Sequence, residues 1–69
     1  MVKNKLSYAE AYTEFLKYCA KKERISITRL VHNFKMDGTE LEFKQMYDRG
    51  LKINNPEYYK RIRSRIKCH

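Results

Sequence analysis

Helix breakers are almost missing from this chain, and that constrains its fold more than any other feature. Its 69 residues include two glycines, Gly38 and Gly50, and one proline, Pro56. A β-rich domain needs a turn signal every ~8–12 residues, usually carrying Gly or Pro. The expectation is therefore an all-α fold of long regular elements joined by short connections. The length leaves room for one domain, residues 1-69, and a chain this short buries only about 60% of its unfolded surface. Hydrophobic residues make up 42% and aromatics 13%, which is the composition of a folded chain and not of a disordered basic tail.

Apolar periodicity and capping signals divide the chain into a small bundle of about four short helices. Ser7 with Glu10 three residues later is a capping-box signature, and Leu6 with Ala11 can form the hydrophobic staple around it. Tyr8, Tyr12, Phe15, Leu16 and Cys19 then recur on one helical face, which predicts a first helix from about Tyr8 to Lys22 or Glu23. Ser26 is the next expected cap, before an apolar face of Ile27, Leu30, Val31 and Phe34 that stops at Lys35-Met36-Asp37-Gly38. Thr39 is the expected cap of a third helix, with Glu40 and Glu42 in its first turn, Phe43, Met46 and Tyr47 on its face, and Gly50 after its end. Asn55 as cap, Pro56 at the first helical position and Glu57 open a fourth, whose apolar face is Tyr59, Ile62 and Ile66. On this reading Tyr8, Tyr12 and Tyr59 pack in the core, whereas Tyr18 and Tyr58 fall off the stripes, Tyr58 at a partly exposed edge.

Charge supplies the functional signal. Sixteen Lys and Arg oppose eight Asp and Glu, a formal net charge of +8. The excess falls in two clusters, Lys17, Lys21, Lys22, Arg24, Arg29 and Lys35, and Lys60, Arg61, Arg63, Arg65 and Lys67. So strong a field on so small a domain repels itself, and its commonest use is to hold a phosphate backbone. Arginine adds bidentate phosphate geometry in the second cluster. All eleven residues are candidate nucleic-acid contacts, and duplex DNA is the expected partner.

Residues 25–53 resemble the helix-turn-helix and winged-helix superfamily of DNA-binding domains. The resemblance rests on the paired apolar residues Leu30-Val31, then Phe34, the turn Lys35-Met36-Asp37-Gly38, Leu41 five residues after Met36, and the closing run Tyr47-Asp48-Arg49-Gly50-Leu51-Lys52-Ile53. It implies a helix-turn-helix-like unit and a small DNA-binding regulatory or accessory protein, with the second helix of the unit as reader. Such factors often bind as pairs on adjacent half-sites, so a homodimer is one expectation. Lys35 stands where the family often has a glycine, and the stripe misses Lys44. The prospective reader segment is also acidic, with Asp37, Glu40, Glu42 and Asp48 against Lys44. Basic contacts are therefore expected from the end of helix 1, the loop into helix 2 and helix 4, and mainly with the backbone.

The same acidic segment supports a rival reading, an inhibitor or adaptor that docks on a host protein complex or on a second copy of the chain. Size and composition suit a phage or mobile-element factor in the cytoplasm or on the nucleoid. Catalysis, cofactors and bound metal are not expected. His32 and His69 lack an orienting acid in sequence, and Cys19 and Cys68 form no C-x-x-C pair. Cys19 reads as a small buried hydrophobe. No apolar run reaches the ~18 residues of a membrane span, and no signal peptide is visible.

Overall fold

The first helix begins where its capping box dictates. The Ser7 hydroxyl accepts the Glu10 N–H at 3.2 Å, and the Glu10 carboxylate accepts the Ser7 N–H at 3.1 Å. The computed structural model describes residues 6–66, and within them lie α1 (Tyr8–Glu23), α2 (Ile27–Asp37), α3 (Thr39–Asp48), α4 (Asn55–Ile62) and a 3₁₀ turn over Arg63–Arg65. No strand occurs among the described residues. The chain is an all-α domain of four helices, as its breakers imply.

Three boundaries differ from the sequence reading. Helix α2 runs on through Lys35 and Met36 to Asp37, because both are good helix formers and the true breaker is Gly38. Gly38 sits at φ 85°, where only glycine is unstrained, and it both closes α2 and precedes α3. Thr39 is consequently not the cap of α3 but its first residue. Its side chain is buried, and its N–H is taken by the Asp37 carboxylate at 2.9 Å. Helix α4 is capped one residue earlier than expected, by Asn54, whose side-chain oxygen accepts the Glu57 N–H at 3.4 Å. Pro56 therefore occupies the second helical position, where its missing N–H still costs nothing.

The core is built around Phe15, which is fully buried. Its ring lies 5.9 Å from Phe34 of α2, 5.4 Å from Phe43 of α3 and 5.0 Å from Tyr58 of α4. One aromatic from each other helix thus meets the same side chain. Leu30, Cys19, Leu16, Ile62 and Ile66 fill the space between, and Tyr8, Tyr12 and Tyr47 continue the aromatic contacts toward the start of α1. The Tyr47 hydroxyl closes that end by donating to the Leu6 carbonyl at 2.6 Å. Ile27 is exposed and Val31 only half-buried, so the α2 face is narrower than its sequence suggested.

The tyrosines of α4 exchange roles relative to the sequence reading. Tyr58 is 3% exposed and belongs to the core, whereas Tyr59 is half-buried. Tyr58 and Tyr59 are four and three residues before Ile62, so both spacings satisfy a helical stripe. Burial of Tyr58 is decided by a polar partner for its hydroxyl, described below. Cys19 is buried as expected, and burial pushes its thiol up to about 12, so it stays protonated and unreactive at neutral pH.

Truncating the central ring should remove packing from all four helices. Phe15→Ala and Phe34→Ala are each expected to lower stability by about 3 kcal/mol or more. Thermal unfolding followed by circular dichroism checks this, and near-wild-type melting of both variants would contradict the packing described.

Candidate nucleic-acid interface

Helix α4 divides its own basic cluster. Tyr58 and Ile62 face the core, so residues on the two flanks of the helix look toward different neighbours. Arg61 and Arg65 lie on the flank toward α3. The Arg65 guanidinium donates to Glu42 Oε1 at 3.0 Å and to Thr39 Oγ1 at 3.3 Å, and Arg61 Nη2 approaches Glu42 Oε2 at 3.9 Å while stacking 5.6 Å from the Tyr58 ring. The Tyr58 hydroxyl donates to the same Glu42 oxygen at 2.7 Å. One carboxylate therefore gathers three donors from the C-terminal segment and ties it to α3. Hydrogen bonding from Tyr58 first, and then from Arg65, outweighs partial burial and lowers the Glu42 pKa below its ordinary value of 4.5.

The other flank of α4 looks toward the end of α1. The Tyr59 ring meets Tyr18 edge-on at 5.7 Å, and its hydroxyl donates to Glu23. Lys22 sits 5.4 Å over the Tyr18 ring. Arg63, one turn on from Tyr59, is near enough for its charge to act on the Tyr59 phenol. Asn33 of α2 donates to the Arg65 carbonyl at 3.5 Å, which draws α2 to the same corner, and Arg29 lies one turn before Asn33. Lys22 and Arg63, some forty residues apart in sequence, thus meet at the Tyr18–Tyr59 pair, beside the Glu23 carboxylate.

Arg24 follows Glu23 at the end of α1. It closes α1 in the left-handed conformation, at φ 58° and ψ 44°, the one non-glycine residue among those described with positive φ. An L side chain there carries a strain of about 1 kcal/mol that glycine would avoid. Arg24 and Arg29 flank a first turn of α2 that contains no acid.

The predicted contact residues therefore separate into groups. Lys22 and Arg63 lie beside the Tyr18–Tyr59 pair, Arg24 and Arg29 are exposed at the end of α1 and the start of α2, and Lys60 is exposed on the outer side of α4. Lys17 and Lys21 are exposed one turn apart on the outward face of α1. Lys35 is at the far end of α2, in a groove of about 350 Å³ with Tyr8, Gly38 and Lys44. Arg61 and Arg65 are engaged with Glu42, although the Arg61 side chain remains 64% exposed. Lys67 lies outside the described residues. Arg49 and Lys52, which the cluster reading missed, line a groove of about 440 Å³ with Arg61 and Glu42. They flank Gly50 and Leu51 in the connection after α3, and only the fold brings them beside α4. Among the described residues no three His, Cys, Asp or Glu side chains are grouped as a metal set, and no helix is long and apolar enough to cross a membrane.

Glu42 makes the fold pH-dependent in a defined direction. Its folded-state pKa lies below its unfolded value, so its stabilisation is complete above the ordinary carboxylate range and is lost as pH falls through the folded value. Melting temperature measured from pH 7 down to pH 3 should fall in the wild type and fall less in Glu42→Gln. Identical pH profiles would show that the carboxylate does not hold the C-terminal segment.

Comparison of the chain with protein-family models, with curated proteins and with solved structures finds no match, so its function rests on this geometry.

Proposed function

We propose that this protein binds duplex DNA as a small regulatory or accessory factor, gripping mainly the phosphate backbone. The observation that carries the reading is the approach of Lys22, at the end of α1, and Arg63, of the 3₁₀ turn, to one aromatic pair, Tyr18 and Tyr59, with Arg24 and Arg29 exposed in the segment that follows Lys22. Glu42 and Asp48 are engaged with Arg61, Arg65 and Lys44 elsewhere on the surface. Glu23, which accepts from Tyr59, is the acid beside this corner, so positive charge predominates there, which suits a polyanion. Retention of a strained arginine at position 24 supports the reading, since strain is tolerated where a side chain has a task. The resemblance of α2 and α3 to a helix-turn-helix unit points the same way, and Gly38 follows α2 directly.

A docking role on a protein partner is the second reading, and one observation favours it. Met36 is 74% exposed and Leu41 is 61% exposed, on either side of the α2–α3 turn beside Asp37 and Glu40. An apolar pair in an acidic setting fits a protein surface better than a phosphate backbone.

Two measurements test the first reading. The affinity of the wild type for a mixed-sequence duplex should fall by about 0.9 log units per log unit of salt for each phosphate neutralised. A flat salt profile, or no binding at low salt, would remove the proposal. Arg24→Gly should move stability and affinity in opposite directions. It relieves a left-handed L residue and should raise stability on the order of 1 kcal/mol, while DNA binding weakens and the salt slope drops by about 1. A variant both more stable and equally tight would show that Arg24 has no part in binding.

A further inference from the structure

Helix α3 is the element that the helix-turn-helix resemblance would send into a DNA groove, and its surface is poorly suited to that task. Its outward residues are Leu41, Gln45 and Asp48, all exposed. Its single lysine, Lys44, is tied to Asp48 at 3.2 Å and lies 5.3 Å over the Tyr8 ring. Asp37 and Glu40 stand at its start. Phosphates would meet acids at both its ends and no unpaired cation between them.

Helix α4 has the opposite character. On its α1 side are Arg63 and Lys22, and on its α3 side are Arg61, Arg49 and Lys52. Arg61 lies on the α3 side of α4, and Arg63, in the 3₁₀ turn that continues it, lies on the α1 side beside Tyr59. Glu57 and Lys60 of α4 and Ser64 of the 3₁₀ turn are exposed. A helix is about 10–12 Å across, and the major groove of duplex DNA is about 12 Å wide between two phosphate strands. Cations on both flanks of one helix, with short polar side chains between them, match that pair of strands and the base edges at the floor.

We infer that α4, not α3, enters the major groove, with Arg63 and Lys22 toward one phosphate strand and the Arg61–Arg49–Lys52 strip on the other. The inference rests on the DNA-binding reading above and adds the groove, the inserted helix and a second row of contacts. Glu42 then has a positioning role. By holding Arg65 and the Tyr58 hydroxyl it sets the rotation of α4, and by standing 3.9 Å from Arg61 it keeps that guanidinium on the α3 flank. Lys60 is placed to donate to guanine O6 or N7, Glu57 to accept from cytosine N4, and Ser64 to serve either.

The test uses the full chain and a pool of mixed-sequence duplexes. Dimethyl sulfate methylates guanine N7 in the major groove, so bound wild type should protect N7 within its footprint. Lys60→Gln should lose that protection. The double variant Arg49→Gln/Lys52→Gln should lower the salt slope by about 2, about 1 for each cation removed. Leu41→Ala/Gln45→Ala, on the outward face of α3, should bind and protect as the wild type does. Circular dichroism confirms that each variant is folded, and all five altered side chains are exposed. Loss of binding in the α3 variant, or binding without N7 protection by the wild type, overturns the inference while leaving the DNA-binding reading in place. An unchanged slope in Arg49→Gln/Lys52→Gln overturns the second strip. Absence of any binding by the wild type overturns both readings at once.

Discussion

The packing of Phe15 against one aromatic ring from each other helix is the contact on which the rest depends. A domain of this size has little apolar area to bury, so each large ring must serve several interfaces. Phe15 meets that demand by joining α2, α3 and α4 to the longest helix. Tyr58 of α4 lies against it and is held in that orientation by its hydroxyl bond to Glu42. Once Tyr58 is inward, Arg61 and Arg65 fall on one flank and Tyr59 and Arg63 on the other. The distribution of surface charge is thus a consequence of a core contact.

Glu42 turns that geometry into selectivity among the arginines. A carboxylate at this position attracts the two guanidiniums on its own side and leaves Arg63 to the opposite corner. Arg65 is committed to the fold through Thr39 and Glu42, with little freedom left to meet a ligand. Arg61, farther from Glu42 and more exposed, keeps one face toward solvent. Replacing Arg61, Arg63 and Arg65 together would therefore remove a structural clamp along with the proposed DNA contacts, and single substitutions are the informative ones.

Much of the fold was legible because local spacing carries it. The capping box at Ser7 and Glu10 and the five-residue stripe of α1 are contained within sixteen residues, and both are present as read. The end of α2 was misplaced because an Asp-Gly dipeptide signals a turn without saying which residue begins it. The face of α4 was misplaced because adjacent tyrosines both fit a period of 3.6, and the choice is made by Glu42, sixteen residues earlier. The same long-range bond explains why Glu42 read as a helix-dipole acid and not as a clamp. Arg49 and Lys52 were missed as contacts for a similar reason, since their neighbour Arg61 is brought to them only by the fold. The charge clusters were visible as composition, but their division between two flanks of α4 required the rotation of that helix.

The fold holds Arg65 in an internal clamp, whereas Arg63 lies on the opposite side of α4 beside Tyr59. Nuclear magnetic resonance of the arginine Nε–H groups, followed while a short duplex is titrated in, observes both side chains in one sample. The account predicts that the Arg63, Arg24 and Arg29 signals move with added DNA while the Arg65 signal stays in place, its bond to Glu42 intact. Movement of Arg65 with a stationary Arg63 would contradict it.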